Sequence, residues 1–232
     1  MSVISFDCVR KSFGDHVVLD GLSFAVERGE IFAIVGASGA GKSVALKHIV
    51  GLVAPDSGEV RVDGACRIGY LFQSGALLAW MNVHDNVALP LRETTSLSPD
   101  EIDRRVAAAL EAVGLSDAAE RYPAEISGGM LKRAGLARAI VRDADVVLYD
   151  EPTSGLDPVT AVRIHRLIRD LRDRRGITGV LVTHDLAGAL ALADRILLLE
   201  GGKAAVCAAP AEFVRSNVPS AVEFLAAAKG EL

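Results

Sequence analysis

The sequence has few cysteines and shows no secretory signal at its N-terminus. Its three cysteines, Cys8, Cys66 and Cys207, lie far apart in the chain. An odd number of scattered cysteines argues against a disulfide framework or a zinc site and predicts reduced thiols in a cytosolic protein. Residues 1–7 contain no positively charged segment followed by an apolar core, so we expect no signal peptide.

Long apolar runs and an excess of positive charge are also missing. No uncharged apolar run approaches the roughly 18 residues that a membrane span requires. The most apolar region, residues 186–199, is interrupted by Asp194 and Arg195. The formal net charge is −5 at pH 7, which argues against a general nucleic-acid-binding surface. Half of the 232 residues are hydrophobic, enough for a substantial core.

The most informative stretch of the sequence is a glycine-rich segment near the N-terminus. Residues 36–43 read Gly-Ala-Ser-Gly-Ala-Gly-Lys-Ser, after the apolar run 31–35 and before a segment with helical character. In this strand–loop–helix context, the pattern G-x-x-x-x-G-K-[ST] indicates a phosphate-binding loop. The glycines let successive backbone N–H groups face an anion, and the following helix adds its positive end. An ordinary glycine-rich turn is the alternative, and the flanking elements disfavour it.

The chemistry of phosphate binding gives roles to two side chains of this stretch. We expect Lys42 to reach the β- and γ-phosphates of a nucleotide and the Ser43 hydroxyl to ligate Mg²⁺. The predicted nucleotide-binding residues here are Gly36, Ala37, Ser38, Gly39, Ala40, Gly41, Lys42, Ser43 and Val44.

A buried strand that ends in two acidic residues follows about a hundred positions later. The apolar run 146–149 leads directly into Asp150 and Glu151. After a phosphate loop, this arrangement resembles a Walker B element, in which Asp150 holds Mg²⁺ through its water shell and Glu151 polarises the attacking water. The alternative is a surface acidic pair that happens to follow a strand.

Other polar or aromatic side chains stand where ligand contacts gather in α/β proteins. Gln73 follows the apolar run 68–72, and His184 follows the predicted strand 179–183. Each has a plain alternative: a strand-end amide facing water, and a structural histidine. Phe13 lies in a polar stretch, where it either stacks on a nucleotide base or caps the edge of a strand.

Turn and capping signals divide the chain into strands and helices. Ser98, Pro99 and Glu101 predict the start of a helix, which Gly114 ends. Asp157 and Pro158 predict the start of another, which runs to Arg175 and is ended by Gly176. Its predicted apolar face contains Val162, Leu167, Ile168 and Leu171. The further predicted elements are N-terminal strands at 17–19, 22–26 and 31–35, separated by turns at 20–21 and 28–29, a strand at 59–63, a helix at 130–141, a hairpin at 195–207 and short helices within 210–229.

Together these motifs resemble the ATP-binding cassette (ABC) ATPases across nearly the whole chain. Six elements follow the order of that family: residues 36–43, Gln73, 126–130, 150–151, 154–157 and His184. The resemblance implies that Phe13 stacks on adenine and that Gln73 joins Ser43 and Asp150 as a metal ligand. It also implies that Glu151 and His184 are the catalytic residues, with ATP and Mg²⁺ as cofactors.

The stretch 126–130 is similar to the signature L-S-G-G-Q of this family, with Ile126 and Met130 at its ends. Met130 removes an amide that would hydrogen-bond near the ribose. The resemblance implies that Ser127, Gly128 and Gly129 contact the nucleotide held by a second copy. A helix start with two glycines and a hydroxyl is a second anion-binding end. A homodimer with two composite ATP sites is therefore expected.

The segments 71–78 and 82–93 resemble one branch, the ATPase subunits of Mla/Mce-type lipid transporters. This implies a subunit that hydrolyses ATP to power a separate membrane permease moving phospholipid between membranes. The alternatives are the ATPase of another ABC transporter, such as one for lipoprotein release, and a soluble ABC protein outside transport. No nucleic-acid partner is expected, and further lipid-transport subunits are possible partners.

The expected location is cytoplasmic, peripheral on the inner face of the bacterial inner membrane through the permease. We expect the permease to dock near residues 75–91, because residues 76–81 are apolar for a segment that joins two subdomains. About half of these residues are expected to pack in the core instead.

The fold class predicted from these patterns and from the resemblance is α/β. It consists of a P-loop NTPase (RecA-like) core with an N-terminal antiparallel β subdomain and an inserted α-helical subdomain, together one ABC ATPase domain. The predicted parts are a nucleotide-binding core at about 1–80 and 142–206, a helical subdomain at about 81–141, and a short helical tail at about 207–232.

Overall fold

The computed structural model describes residues 2–229, which divide into two compact units. The first unit contains residues 2–66 and 172–229, and the second contains residues 67–171. The predicted division into core, helical subdomain and tail remains a prediction.

The secondary structure is α/β throughout. In chain order, the strands are β1 (Ser2–Phe13), β2 (His16–Glu27), β3 (Ile31–Val35), β4 (Ser57–Val62), β5 (Ile68–Leu71), β6 (Val146–Asp150), β7 (Thr178–Thr183), β8 (Arg195–Glu200) and β9 (Lys203–Ala208). The helices are α1 (Lys42–Ile49), α2 (Val83–Thr94), α3 (Pro99–Ala112), α4 (Gly128–Ile140), α5 (Pro158–Arg175), α6 (Leu186–Leu192), α7 (Pro210–Phe213) and α8 (Pro219–Lys229), with 3₁₀ turns at Ser116–Ala118 and Pro123–Glu125.

An antiparallel sheet in the order β2-β1-β4 forms one layer of the first unit. The predicted turn at residues 20–21 is wrong, because both residues lie inside the continuous strand β2. The pairing moves from Val9 opposite Leu22 to Arg10 opposite Asp20, which leaves Gly21 as a bulge residue with a φ of 77°. Glycine accommodates this left-handed backbone, so it marks a bulge here and not a chain reversal.

A mixed sheet, in the order β7-β3-β8-β9, forms the second layer of the first unit. The first three strands are parallel, and β9 pairs with β8 as the predicted terminal hairpin. Every residue of β3 is buried. The rings of Phe6 and Phe24 stack at 4.4 Å, and Phe24 stacks on Phe32 of β3 at 5.3 Å. This aromatic column fixes β3, and the loop that follows it, against the antiparallel sheet.

The second unit combines two parallel strands, β5 and β6, with helices. Leu71 at the end of β5 lies opposite Tyr149 in β6, so both strands end at the same edge. Between residues 81 and 142 the described chain contains helices and no strand, as predicted.

The predicted helix starts are confirmed by side-chain caps. The Ser98 hydroxyl accepts a hydrogen bond from the Glu101 amide at the start of α3, and the Asp157 carboxylate caps α5. Gly114 and Gly176, which follow these helices, both have positive φ angles, as expected of helix-terminating glycines.

The predicted apolar face of α5 is partly wrong. Val162 is exposed, and Ile164 is buried together with Ile168 and Leu171. Positions 164, 168 and 171 are spaced by four and three residues and therefore share one face of the helix. Residue 162 points away from that face because it is two positions from Ile164.

No helix within residues 2–229 has both the length and the apolar character needed to cross a membrane.

Candidate nucleotide-binding site

The glycine-rich loop lies between β3 and α1, as the sequence predicts. Val35, the last residue of β3, pairs with Thr183, the last residue of β7. Because these neighbouring strands are parallel and in register, Gly36 and His184 leave the sheet at the same edge. The His184 side chain is exposed there. The structure therefore brings two predicted site residues, far apart in sequence, to one end of the first unit.

Glycine is required at both ends of the loop. A Cβ atom on Gly36 would lie 2.4 Å from the carbonyl oxygen of Leu199 at the end of β8. A Cβ on Gly41, whose φ is 99°, would lie 3.0 Å from the Cγ1 and carbonyl oxygen atoms of Val18 in β2. The loop is thus held closely between two strands, and its backbone occupies positions that a side chain would block.

Lys42 places its ammonium group within this loop. The residue is only 7% exposed, and its Nζ donates to the carbonyl oxygens of Gly36 at 2.8 Å and Ala37 at 2.9 Å. A buried charge requires such hydrogen bonds. Gly41 is the N-cap of α1, so no side-chain hydrogen bond caps the first turn of the helix. A buried cation, backbone N–H groups and a following Ser43 hydroxyl fit a polyphosphate with its metal ion.

Phe13 is the last residue of β1 and is paired with His16 across the hairpin. Its ring is exposed, and Lys11 Nζ lies 5.4 Å from the ring centroid. The partner strand β2 is the strand that packs against Gly41 through Val18. The hairpin that carries Phe13 is therefore anchored at the glycine-rich loop, with an aromatic face open to a ligand.

The acidic pair of the second unit lies at the end of the buried strand β6. Asp150 and Glu151 are both buried, and Glu151 has a φ of 48°, which is rare for a residue with a side chain. The Tyr70 hydroxyl of β5 donates to Asp150 Oδ2 at 3.1 Å. Burial, and then the charge of Asp150, raise the pKa of the Tyr70 phenol. Tyr70 thus stays a hydrogen-bond donor to this carboxylate.

Gln73 lies just beyond β5, at the same edge of the second unit as the acidic pair. Its side-chain amide donates to Ser154 Oγ at 3.4 Å, within the stretch 154–157 that the sequence also singled out. The structure therefore brings Gln73, the acidic pair and the segment before α5 together.

Sequence reasoning missed Lys132 of α4, which is only 5% exposed. Its Nζ donates to the main-chain carbonyl oxygens of Gln73 and Glu151, the latter at 2.9 Å. Burial lowers the pKa of Lys132, and the nearby carboxylates of Glu151 and Asp150 oppose this effect. A lysine near the start of a helix is normally expected to be exposed, so the sequence carries no clear signal for this contact.

The predicted signature forms the start of α4. Ser127 is the N-cap, and its hydroxyl accepts from the Met130 amide at 3.3 Å. Ser127 and Gly128 are exposed, while a Cβ on Gly129 would lie 2.6 Å from Thr160 Cγ2 of α5. The helix thus presents an exposed hydroxyl and its positive end, which together suit an anionic ligand.

Comparison with known proteins bears on the identity of this chain. The family model described as "ABC transporter" matches residues 19–154. The intermembrane phospholipid transport system ATP-binding protein MlaF of Escherichia coli (strain K12) is 44% identical over 204 residues, covering 82% of this chain and 76% of that protein. MlaF of Haemophilus influenzae is 40% identical over 232 residues, covering 94% of this chain and 87% of that protein.

A solved structure of the ATP-binding cassette MJ0796, dimeric and bound to ADP and Pi, superposes with a TM-score of 0.81. It is 29% identical, and the match covers 89% of this chain and 98% of the cassette. Fold and glycine-rich loop define a P-loop nucleotide-hydrolysing protein of the α/β class. The chain belongs to the ABC transporter family and is one of its ATPase domains, with ATP and Mg²⁺ as cofactors.

Proposed function

We propose that this chain is the ATP-hydrolysing subunit of a bacterial transporter that moves phospholipid between membranes. The observation that carries the proposal is the 40–44% identity to MlaF proteins of two bacteria, over most of both chains. Those relatives are named as ATP-binding proteins of an intermembrane phospholipid transport system. In this proposal the chain supplies the free energy of ATP hydrolysis, and a separate permease supplies the path through the membrane.

The glycine-rich loop and Lys42 bind the phosphates of ATP in this proposal. Backbone N–H groups of residues 36–41 and the start of α1 face the phosphates, and the ammonium exchanges its loop carbonyl partners for phosphate oxygens. Ser43, Gln73 and Asp150 would hold Mg²⁺, which balances phosphate charge when bound. Phe13 stacks on the adenine, for which its exposed ring is suited.

Glu151 is the proposed general base. Its carboxylate accepts the proton of the water that attacks the γ-phosphate, and His184 is the second proposed catalytic residue, which contacts that phosphate. Two features of Glu151 support the assignment: it is buried at a strand end, and it adopts a left-handed backbone conformation. Such conformations persist where the surroundings enforce them, and they gather at active sites.

The proposed active form is a homodimer with two composite sites. Ser127, Gly128 and Gly129 of one copy contact the nucleotide held by the glycine-rich loop of the other. The exposed start of α4 supports this role, since its hydroxyl and helix dipole suit the γ-phosphate. The dimeric state of the MJ0796 cassette is a parallel in a related protein.

The proposed docking site for the permease is the segment 75–91. Trp80 is 73% exposed, although it is the largest apolar side chain of the segment. Ala76 and Ala79 are exposed as well, whereas Leu77, Leu78 and Met81 are half-buried. An exposed apolar patch of this kind suits a short amphipathic helix of a partner. Docking there would hold the chain at the cytoplasmic face of the inner membrane.

Substitution of Glu151 by Gln tests the catalytic assignment. The amide keeps the shape of the side chain but accepts no proton, so we expect the ATPase rate to fall at least about 100-fold. Nucleotide affinity, measured by fluorescence with an ATP analogue, should stay within about twofold of the original protein, and ATP should stabilise the dimer in size-exclusion chromatography. Hydrolysis at the normal rate would show that Glu151 is not the base.

The transport assignment is tested separately with the complex that co-purifies with this chain. We expect an integral membrane permease in that complex and, after reconstitution, ATP-dependent transfer of a fluorescent phospholipid between vesicles. The Glu151→Gln complex is the matched control and should transfer none. Release of a lipoprotein from the vesicles without lipid transfer would favour the alternative transporter class.

A further inference from the structure

One side chain of helix α4 contacts the residues that follow strands β5 and β6 in the second unit. The helix begins at the signature serine, and Lys132 lies just over one turn later. The Lys132 ammonium is buried and donates to the main-chain carbonyls of both Gln73 and Glu151. These carbonyls belong to residues that follow two different parallel strands. One buried cation therefore joins three motifs that are far apart in sequence.

A second basic residue of α4 also binds the chain that follows Gln73, but at another place. Arg138 donates through its two Nη atoms to the carbonyl oxygens of Ala76 at 2.7 Å and Gly75 at 2.8 Å. A Cβ on Gly135 would lie only 3.0 Å from Gly75 O, so helix and loop touch through glycines. The loop is thus well anchored without Lys132, and the distinctive contact of Lys132 is with Glu151.

The backbone of Glu151 is held by two donors, because its carbonyl oxygen accepts from Lys132 Nζ at 2.9 Å and also from the Ser154 amide at 3.2 Å. Its φ of 48° places a residue with a Cβ in the left-handed region, which the surroundings must enforce. A charge-assisted hydrogen bond to the carbonyl of that residue fixes the orientation of the peptide plane that follows it. Because the side chain leaves from the same α carbon, fixing the backbone also fixes the direction of the carboxylate.

We propose that Lys132 is a positioning residue for ATP hydrolysis. It holds Glu151 in its left-handed conformation and fixes the position of Glu151 relative to Gln73 and the signature helix. The inference rests on the proposed role of Glu151 as general base. Lys132 itself touches neither nucleotide nor water in this proposal. Its removal should therefore slow the chemical step and leave ATP binding in place.

The test compares Lys132→Met with Arg138→Met in the purified full chain. Methionine is an unbranched side chain one heavy atom shorter than lysine, and it donates no hydrogen bond. We expect Lys132→Met to lower kcat about 10- to 100-fold, the effect of misplacing a catalytic group by about 1 Å. KM and the affinity for a fluorescent ATP analogue should stay within about twofold. Arg138→Met, which loosens the same loop, should have a smaller effect. Its kcat should stay at least about fivefold above that of Lys132→Met.

Lys132→Arg serves as the rescue variant, because a guanidinium can donate to two carbonyl oxygens. It should recover kcat to within about threefold of the original protein. If Lys132→Met does not fold, the comparison moves to Lys132→Gln, whose neutral amide forms weaker hydrogen bonds than the ammonium. Its kcat should fall below that of the Arg variant, and equal kcat values in the Gln variant and the original protein would overturn the proposal. Equal losses of kcat in the Lys132 and Arg138 variants would overturn the proposal.

A second readout is independent of turnover. In the Glu151→Gln background, Lys132→Met should leave the ATP-stabilised dimer unchanged, because both substitutions act on the same base. Loss of that dimer would show a general structural role and overturn the positioning proposal. If Glu151→Gln itself hydrolyses ATP normally while Lys132→Met is slow, the assignment of the base fails instead.

Discussion

At the scale of single residues, two buried lysines both donate to main-chain carbonyl oxygens, but in different settings. Lys42 donates to carbonyls of the glycine-rich loop, and Lys132 donates to carbonyls that follow two strands. In the proposed function, phosphate oxygens of ATP replace the loop carbonyls around Lys42, whereas Lys132 keeps its main-chain partners. The same functional group would therefore serve a ligand in the proposed site of one unit and the main chain in the other.

Lys42→Ala should weaken ATP binding about 10- to 100-fold, because each charge-assisted hydrogen bond to phosphate contributes about 1.5–3 kcal/mol. Equilibrium titration with a fluorescent ATP analogue measures this loss. Lys47→Ala is the matched control, since Lys47 lies on the same helix but is exposed. Equal losses in the two variants would point to a general charge effect and contradict a specific contact of Lys42 with phosphate.

At the scale of elements, the segment before α2 is rigid although it is exposed. Asn86 is fully buried, and its Oδ1 accepts from the Leu78 amide at 2.7 Å. Its Nδ2 donates to the carbonyl oxygens of Leu78, Met81 and Asn82. One side chain thus satisfies four backbone groups of residues 78–82. The turn that carries Trp80 is therefore fixed before any partner binds, which lowers the entropic cost of docking.

Trp80→Glu should abolish co-purification with the permease, because a charge would be buried at the proposed apolar contact. The free energy of unfolding should change by about 0.5 kcal/mol or less, since the side chain is 73% exposed. Leu52→Glu is the matched control, as Leu52 of the first unit is 68% exposed. Permease binding by a folded Trp80→Glu protein, measured by affinity pull-down, would exclude this residue from the interface.

Leu78→Glu tests the half-buried neighbour, and unfolding of that variant would indicate a core role.

At the scale of the whole molecule, the proposed dimer divides binding and hydrolysis between two chains. Each copy then uses its own glycine-rich loop and the signature of its partner. A change in the signature should affect turnover without affecting the first binding event. This separation distinguishes a contact in trans from a contact within one chain.

Ser127→Arg should stop hydrolysis while the isolated subunit keeps its affinity for ATP within about twofold, because Ser127 serves the site of the partner. The substitution also removes an N-cap, at a cost of about 0.5–2 kcal/mol. Ser98→Arg is matched for this loss, since its hydroxyl caps α3 through the same type of bond, also at 3.3 Å. Loss of ATP binding in Ser127→Arg but not in Ser98→Arg would contradict the role in trans.

The parts of the fold that could be predicted from sequence are those fixed by local backbone chemistry. The glycine-rich loop, the caps at Ser98 and Asp157, and the helix ends at Gly114 and Gly176 each depend on residues within one or two turns. A resemblance across six motifs then gave the family and a residue-by-residue hypothesis for the site. The roles of these residues in ATP binding and hydrolysis remain predictions.

The tertiary structure decided what depends on partners distant in sequence. Gly21 becomes a bulge and not a turn because β1 pairs along the whole of β2, and Ile164 replaces Val162 on the buried face of α5. Lys132 and Asn86 form hydrogen bonds with main-chain groups. Because every residue has these groups, no pattern of side chains in the sequence predicts such contacts. Local propensity determines which secondary structure each segment prefers. Tertiary packing determines which buried polar groups lie close enough to form hydrogen bonds.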